Sequence, residues 1–286
     1  MSPTEIKAAL SILGGGANKG LGQHFLIDAT ALEVIVSSAA IREGDRVLEI
    51  GPGLGVLTRA LLEKGAEVVA IEQDRRMIEY LSRGQNNRLQ VSHGDAAAIH
   101  WHTLIGEGNW KFVANLPYSI TSLALRKALW APHPPEVAVV LVQREVAERA
   151  VSVAPNPLLQ LPLSKGERKK HKTSLLSLMV ALACSSARIV RRVPPGAFYP
   201  PPKVDSAVLQ LIPMPWGERQ AVWGIEPEKI MRLAKLGFAH PRKLLASNLG
   251  GKQAVEALKT VGLSEKIRAE DVSPLEWARL TQSMTP

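Results

Sequence analysis

Val47-Leu48-Glu49-Ile50-Gly51-Pro52-Gly53-Leu54-Gly55 is the stretch that decides the predicted fold. Its apolar half predicts a short strand and its glycine-rich half predicts a tight turn. Residues 56–64 then have the apolar spacing of a helix that ends at Gly65. A strand, a turn and a helix in this order form the unit of a parallel sheet, because parallel neighbours need a crossover connection.

The same unit repeats along the chain. Apolar runs at residues 68–71, 89–91, 112–114 and 137–142 predict further strands between helical patterns. This alternation predicts an α/β fold with a mostly parallel, doubly wound sheet, whose ligands bind at the carboxyl ends of the strands. Two more strand-like runs follow at 189–190 and 208–212.

The rest of the chain divides by composition. Glycine and small residues dominate up to Gly22, so we predict a flexible arm over residues 1–27. We expect the sheet domain to cover residues 28–213, with a basic loop inserted at 151–173 that exceeds the usual loop length. Residues 214–286 carry helical patterns without a strand-like run, which predicts a small all-α domain.

Positive charge is concentrated in the second half of the sequence. The 286 residues have a formal net charge of +9, but residues 1–150 hold 15 basic and 16 acidic side chains. Residues 165–203 alone hold nine basic side chains and one acid, Glu167. Such an excess favours a polyanionic partner, because neutralised phosphates release counterions. A solvated basic loop is the alternative for residues 165–172.

The sequence disfavours a membrane-spanning protein and a secreted protein. No apolar run approaches the roughly 18 residues that a membrane-spanning helix needs, and the beginning of the chain does not resemble a signal peptide. Cys184 is the only cysteine, so we expect no disulfide and a reducing, cytoplasmic location. His93, His100 and His102 have no carboxylate or cysteine at ligand spacing, so we expect no metal site.

Acidic residues follow the next two predicted strands. Glu72 follows residues 68–71, and Asp95 comes after residues 89–91. Carboxylates there can accept hydrogen bonds from ribose hydroxyls or from an adenine amine. Val56 stands where a dinucleotide fingerprint needs its last glycine, so the turn before it favours a nucleoside without a pyrophosphate. The simpler alternative needs no ligand: the glycines would only reverse the chain, and the two acids would only be solvated at strand ends.

The fourth predicted strand ends in Asn115-Leu116-Pro117-Tyr118. The amide offers a donor and an acceptor, the proline is rigid, and the tyrosine ring offers a stacking face. This segment therefore suits a planar heterocycle that carries an amine. A strand that runs into a proline turn is the alternative.

These stretches resemble known methyltransferase motifs. Residues 49–55 look like the first motif of the class I methyltransferases, which use S-adenosylmethionine, and residues 115–118 look like their adenine-N6 motif. Residues 21–28, 143–149 and 198–206 narrow the resemblance to the small-subunit rRNA adenine N6-dimethyltransferases, over about residues 19–250. The resemblance implies a Rossmann-like methyltransferase sheet with a small all-α domain, S-adenosylmethionine as cofactor, and rRNA of the assembling small ribosomal subunit as partner.

The resemblance also implies roles for individual residues. The implied cofactor contacts are His24, Leu26, Gly51, Gly53, Glu72, Asp95 and Asn115. The implied catalytic residues are Asn115, Leu116, Tyr118 and Phe198. The Asn115 side-chain oxygen and the Leu116 carbonyl would accept from the adenine amine, while Tyr118 and Phe198 would enclose a flipped base. The implied contacts to RNA phosphate are Lys203, Arg242 and Lys243.

The sequence departs from the family pattern at two places. His24 stands where the family usually has Asn, so a contact through that side chain is open, whereas a backbone contact would be kept. The loop at 151–173 is longer and more basic than the usual connection. Phe198 has a structural alternative as a core aromatic.

We therefore predict dimethylation of N6 on two adjacent adenosines near the 3′ end of small-subunit rRNA, by a monomer, during ribosome biogenesis. Two alternatives stay open. A large-subunit rRNA dimethyltransferase of the antibiotic-resistance type would share the fold. A non-catalytic RNA-binding assembly or transcription factor would need only the RNA surface.

Overall fold

A computed structural model of the chain describes residues 1–84, 86–153 and 172–284, apart from the side chain of Lys19. The predicted basic loop at 151–173 lies mostly outside these residues. The chain forms two compact units, one of residues 1–147 and 188–212, the other of residues 148–187 and 213–286.

The strands of the described residues are β1 (Phe25–Leu26), β2 (Arg46–Ile50), β3 (Glu67–Glu72), β4 (Leu89–His93), β5 (Lys111–Asn115), β6 (Val137–Gln143), β7 (Cys184–Val193), β8 (Phe198–Tyr199) and β9 (Ser206–Pro213). The helices are α1 (Pro3–Ile12), α2 (Ala29–Ser38), α3 (Val56–Glu63), α4 (Arg75–Ser82), α5 (Trp101–Ile105), α6 (Thr121–Leu129), α7 (Arg144–Ala150), α8 (Leu175–Ala183), α9 (Trp216–Trp223), α10 (Pro227–Gly237), α11 (Leu245–Asn248), α12 (Lys252–Thr260) and α13 (Pro274–Met284).

Seven strands form one sheet in the order β4-β3-β2-β5-β6-β9-β7. The pairs β4-β3, β3-β2, β2-β5 and β5-β6 are parallel, and β9 runs antiparallel to β6. The predicted mostly parallel, doubly wound sheet is confirmed. Its central strands are mostly apolar because helices cover both faces, and residues 137–142 of β6 are all buried.

The first residues are more ordered than a flexible arm. Ser2 caps α1, accepting from the Glu5 backbone N–H while the Glu5 carboxylate accepts from the Ser2 N–H. One face of α1 is buried, with Ile6 and Leu10 packed among apolar residues of the first unit. Residues 3–12 therefore form a helix where a flexible arm was predicted. A capping box and a buried apolar stripe stabilise this helix, and the glycines lie only after its end.

The helical unit begins earlier than expected. The predicted boundary near residue 214 leaves α8 with the sheet domain, whereas α8 lies in the second unit and contacts α9, α10 and α13. Residues 177–183 of α8 are all buried. A helix that is apolar on every side must be surrounded by other elements, and the helices of this unit supply that surrounding.

None of the helices within the described ranges has the length and apolar character required to cross a bilayer.

Gly65 ends α3, as predicted. Its φ is +90°, and the N–H groups of Gly65 and Ala66 donate to the carbonyls of Leu62 and Leu61 at 3.0 and 3.2 Å. This pair of bonds is the Schellman arrangement, which places a glycine in the left-handed region directly after a helix.

A steric contact makes Gly65 more sensitive than a neighbouring glycine of similar backbone conformation. A Cβ at Gly65 would lie 2.9 Å from the Cα of Glu43, whereas a Cβ at Gly44, with φ +81°, would meet nothing within 4 Å. Both alanine variants lose about 1 kcal/mol to the positive φ. We expect Gly65→Ala to lower the free energy of unfolding by about 1–3 kcal/mol more than Gly44→Ala in urea titrations. Equal losses would contradict the predicted clash.

Candidate active site

A cavity lies where β2, β3 and β5 end, next to residues 20–26 of the N-terminal segment. Parallel strands end at the same edge of a sheet, so the turns that follow them come together there. The predicted site residues that line the cavity are His24, Leu26, Gly51, Gly53, Glu72, Asp95, Asn115, Leu116 and Tyr118.

The glycine turn after β2 is held by two backbone donors. Gly51 N–H donates to the Ile71 carbonyl at 2.9 Å, and Gly53 N–H donates to Glu72 Oε2 at 3.1 Å. Both glycines have positive φ, +67° and +55°. A Cβ at Gly53 would lie 3.0 Å from the Phe25 ring. Glycine at this position therefore makes room for the protein's own N-terminal segment as well as for a ligand.

Glu72 is buried and already holds three backbone donors. Its Oε1 accepts from the N–H groups of Gln73 and Asp74 at 2.8 and 2.9 Å, and its Oε2 accepts from Gly53. Burial raises the pKa of Glu72, and these N–H donors oppose that rise. A carboxylate has about four acceptor positions. About one position is therefore left for a ligand.

The cavity has an acidic lining. Its ionisable acids are Glu49, Glu72 and Asp95, and no lysine or arginine is among the described residues that line it. Phosphate groups need cations or free N–H donors, so this lining disfavours a phosphate. It fits a ligand that carries positive charge, such as a sulfonium or an ammonium group.

Glu49 is a site residue to which the sequence analysis gave no role. It is 1% exposed, and Thr58 Oγ1 donates to its Oε2 at 2.7 Å. Burial raises the pKa of Glu49 to about 8, with a further contribution from the Glu72 carboxylate. An acid between apolar residues of a strand, two positions before the glycine turn, is the sequence signal that could have identified it.

The raised pKa of Glu49 makes stability depend on pH. The folded state keeps the proton up to pH about 8, whereas the unfolded carboxyl loses it near 4.5. The folded state therefore binds more protons between these values, and stability falls as pH rises.

Glu49→Gln stays neutral at every pH and escapes this loss. Its free energy of unfolding relative to the wild type should rise by roughly 3 kcal/mol between pH 5 and pH 8, measured by urea unfolding. Glu107→Gln, at an exposed position, serves as the control and should show no such change. A difference independent of pH for Glu49→Gln would show that its carboxyl ionises normally.

Asn115 is joined to the N-terminal segment. Its Nδ2 donates to the His24 backbone carbonyl at 3.1 Å. A carbonyl can only accept, so the amide nitrogen must face His24 and the oxygen Oδ1 is directed elsewhere. The structure records no hydrogen bond to Oδ1 from any described residue. Oδ1 is therefore available as an acceptor.

Asp74 and Arg76 hold the same segment from the other side. Gln23 Nε2 donates to Asp74 Oδ2 at 2.9 Å, and Arg76 forms an ion pair with Asp74 at 2.7 Å. Arg76 Nη1 also donates to the Gly16 carbonyl at 3.3 Å. The segment that borders the cavity is thus tied to the start of α4.

Tyr118 is half-buried, and it is held by a hydrogen bond of its hydroxyl and by a contact of its ring. Its hydroxyl shares a hydrogen bond of 2.7 Å with Ser206 Oγ, and its ring lies against the His24 ring at a centroid distance of 6.0 Å and an interplanar angle of 26°. His24 Nδ1 lies 2.7 Å from the Pro200 carbonyl, so Nδ1 carries the proton. Burial raises the pKa of Tyr118. Ser206 is a second residue that the sequence analysis did not assign.

Phe198, the predicted second wall of the base site, is not among the described residues that line this cavity, and its role toward a base stays a prediction. It is 3% exposed and packs in the core with residues such as Val208. Phe198 pairs with Leu26 in the antiparallel ladder of β1 and β8, and Tyr199 pairs with Phe25. Because side chains alternate along a strand, Phe198 faces the core and Tyr199 turns away from it.

The three predicted RNA contacts are exposed. Lys203 belongs to the first unit, and Arg242 and Lys243 belong to the second, shortly before α11. Lys203 is not part of the cavity lining. No ion pair within the described parts of the chain involves these three side chains, so their charges are available to phosphate.

Residues 1–84, 86–153 and 172–284 contain no cluster of three or more histidine, cysteine, aspartate or glutamate side chains arranged to hold a metal ion.

Comparison with known structures shows the fold. The chain is similar to a dimethyladenosine transferase from Plasmodium falciparum, with 25% identity and a TM-score of 0.70 over 90% of this chain and 96% of that one. It is also similar to the 23S rRNA methyltransferase ErmE, with 24% identity and a TM-score of 0.63 over 91% of this chain and 99% of that one.

Comparison of sequences shows the family. Over 274 residues the chain is 37% identical to the ribosomal RNA small subunit methyltransferase A of Dehalococcoides mccartyi, covering 92% of this chain and 87% of that protein. The sequence model of the family described as ribosomal RNA adenine dimethylase matches residues 15–285. The chain therefore belongs to the ribosomal RNA adenine dimethylase family.

Proposed function

We propose that this chain transfers methyl groups from S-adenosylmethionine to N6 of two adjacent adenosines near the 3′ end of small-subunit rRNA. The observation that carries the proposal is the free Oδ1 of Asn115 in the wall of an acidic cavity. This acceptor sits in the Asn-Leu-Pro-Tyr segment of an rRNA adenine dimethylase. The product of two transfers to each base is N6,N6-dimethyladenosine.

The acidic cavity fits the cofactor by charge. S-adenosylmethionine carries a sulfonium and an ammonium group, which the carboxylates of Glu72 and Asp95 attract. We assign the ribose to Glu72 and the adenine amine to Asp95. Three of the roughly four acceptor positions of Glu72 are already used by N–H donors. One ribose hydroxyl can therefore bind directly. A second hydroxyl must share an acceptor position with an N–H group or replace that group.

The chain's own residues hold the target amine. The lone pair of an adenine amine is delocalised into the ring, so N6 is a weak nucleophile. Asn115 Oδ1 and the Leu116 carbonyl would accept its two protons and favour the pyramidal amine that attacks the methyl group in line. When bound, S-adenosylmethionine would supply the methyl group and its sulfur would keep the electron pair of the carbon–sulfur bond, while N6 would bond to the methyl carbon and release one proton to solvent.

Successive transfers remove the protons that this site binds. Adenine N6 begins with two protons, keeps one after the first transfer and none after the second. Each transfer leaves one of the two acceptors without its partner, which weakens binding of the base. Dimethylated base is therefore released, and the chemistry stops at two methyl groups.

Asn115→Ala tests the catalytic assignment. We expect the turnover number for methyl transfer to fall at least about 100-fold, because one of two acceptors for the amine is lost. S-adenosylmethionine should still bind measurably by calorimetry, because Asn115 is one contact among several. Ser119→Ala changes another residue of the cavity lining and should stay near the wild type. Near-normal turnover in Asn115→Ala would refute the role.

The substrate assignment is tested with purified protein and methyl-labelled cofactor. We expect incorporation into small-subunit ribosomal particles and not into protein-free large-subunit rRNA. Incorporation into large-subunit rRNA alone would support the resistance-type alternative. Failure to bind the cofactor at all would support the non-catalytic RNA-binding alternative.

We also propose that Lys203, Arg242 and Lys243 contact RNA phosphates, since all three cations are exposed and form no ion pair with the residues that the structure describes. Phosphate contacts position an RNA without reading its sequence. The predicted monomeric state and cytoplasmic location are part of the same proposal.

A further inference from the structure

Lys127, on α6, directs its ammonium group at three backbone carbonyls. Its Nζ donates to the oxygens of Ala96, Ala97 and Ile99 at 2.9, 2.9 and 2.6 Å. An ammonium group has three donors, so all of them are used. No carboxylate in the described parts of the chain forms an ion pair with Lys127, so its partners are backbone oxygens alone.

These three carbonyls belong to the turn that carries Asp95. Asp95 Oδ1 accepts from the Ala97 N–H at 2.8 Å, and the Asp95 carbonyl accepts from Ala98 and Ile99 at 2.9 and 3.0 Å. The carboxylate and the ammonium thus hold the same short turn from its two sides. A shift of this turn would move the Asp95 carboxylate.

Lys127 also links this turn to the target-base segment. It lies on α6, which begins at Thr121 directly after the segment that contains Asn115 and Tyr118. Its ammonium group is 5.1 Å from the centroid of the buried Trp101 ring, and Trp101 Nε1 donates to the Ala96 carbonyl at 2.9 Å. The ammonium therefore joins the two sides of the cavity.

We propose that Lys127 is a positioning residue, which sets the Asp95 carboxylate at the distance needed to accept from the adenine amine of the cofactor. This inference rests on the proposed function. A half-buried ammonium without a carboxylate partner among the described residues is costly. Its three hydrogen bonds to the turn offset this cost, and the same bonds hold the Asp95 carboxylate in place.

The test is calorimetric binding of two ligands that differ at one group. S-adenosylhomocysteine carries the adenine amine, and S-inosylhomocysteine has an oxo group in its place. We expect Lys127→Met to bind S-adenosylhomocysteine about tenfold more weakly, as for one lost hydrogen bond to a charged group. Its affinity for S-inosylhomocysteine should change less than about twofold, because that ligand lacks the amine.

Arg126→Met is the matched control, since it removes the same charge from the neighbouring, exposed position of α6. It should bind both ligands as the wild type does. Lys127→Gln keeps an amide that can donate to two of the carbonyls, so an intermediate loss is expected.

Three outcomes would overturn the inference: unchanged binding in Lys127→Met, an equal loss for both ligands, or failure of both Lys127 variants to fold. Each would assign Lys127 to stability alone. A wild type that binds neither ligand would instead refute the proposed function.

Discussion

The hydrogen bond from Asn115 Nδ2 to the His24 carbonyl is the interaction on which the site depends. It joins the end of β5 to the N-terminal segment, and it also fixes which atom of the amide is left for a substrate. A residue that could not donate would lose this link to the segment, and one that could not accept would lack the proposed contact to the amine. Asparagine meets both demands with one side chain. The substitution of His for the usual Asn at position 24 is compatible with this bond, because the backbone carbonyl makes it.

The buried carboxyl groups of the cavity create a cost that the fold must offset. Glu72 is stabilised by three N–H groups, whereas Glu49 has a single hydroxyl donor and keeps its proton to pH about 8. The glycine turn after β2 contributes twice, because the Gly53 N–H is one of the three donors to Glu72 and the turn itself lines the cavity. Local backbone geometry, acid–base behaviour and ligand choice are thus consequences of one strand–turn–helix unit.

The parallel sheet and most of the cavity could be predicted from sequence. Apolar runs indicate strands buried on both faces. Glu72 and Asn115 follow such runs directly, and Asp95 follows one after three residues. The orientation of Phe198 could not be predicted, because a strand of two residues shows no alternation pattern. The order of α1 was obscured by the glycines after it, although Ser2, Pro3 and Glu5 form a legible capping signal. Lys127 was unpredictable because its three partners are carbonyls, which leave no trace in a sequence.

The central claim is that this rRNA adenine dimethylase modifies the small subunit. Mass spectrometry of nucleosides from small-subunit rRNA, in cells with and without this chain, tests it most directly. We expect N6,N6-dimethyladenosine to disappear from that rRNA without the chain, and to return with the wild-type chain but not with Asn115→Ala. Persistence of the modified nucleoside in cells that lack the chain would contradict it.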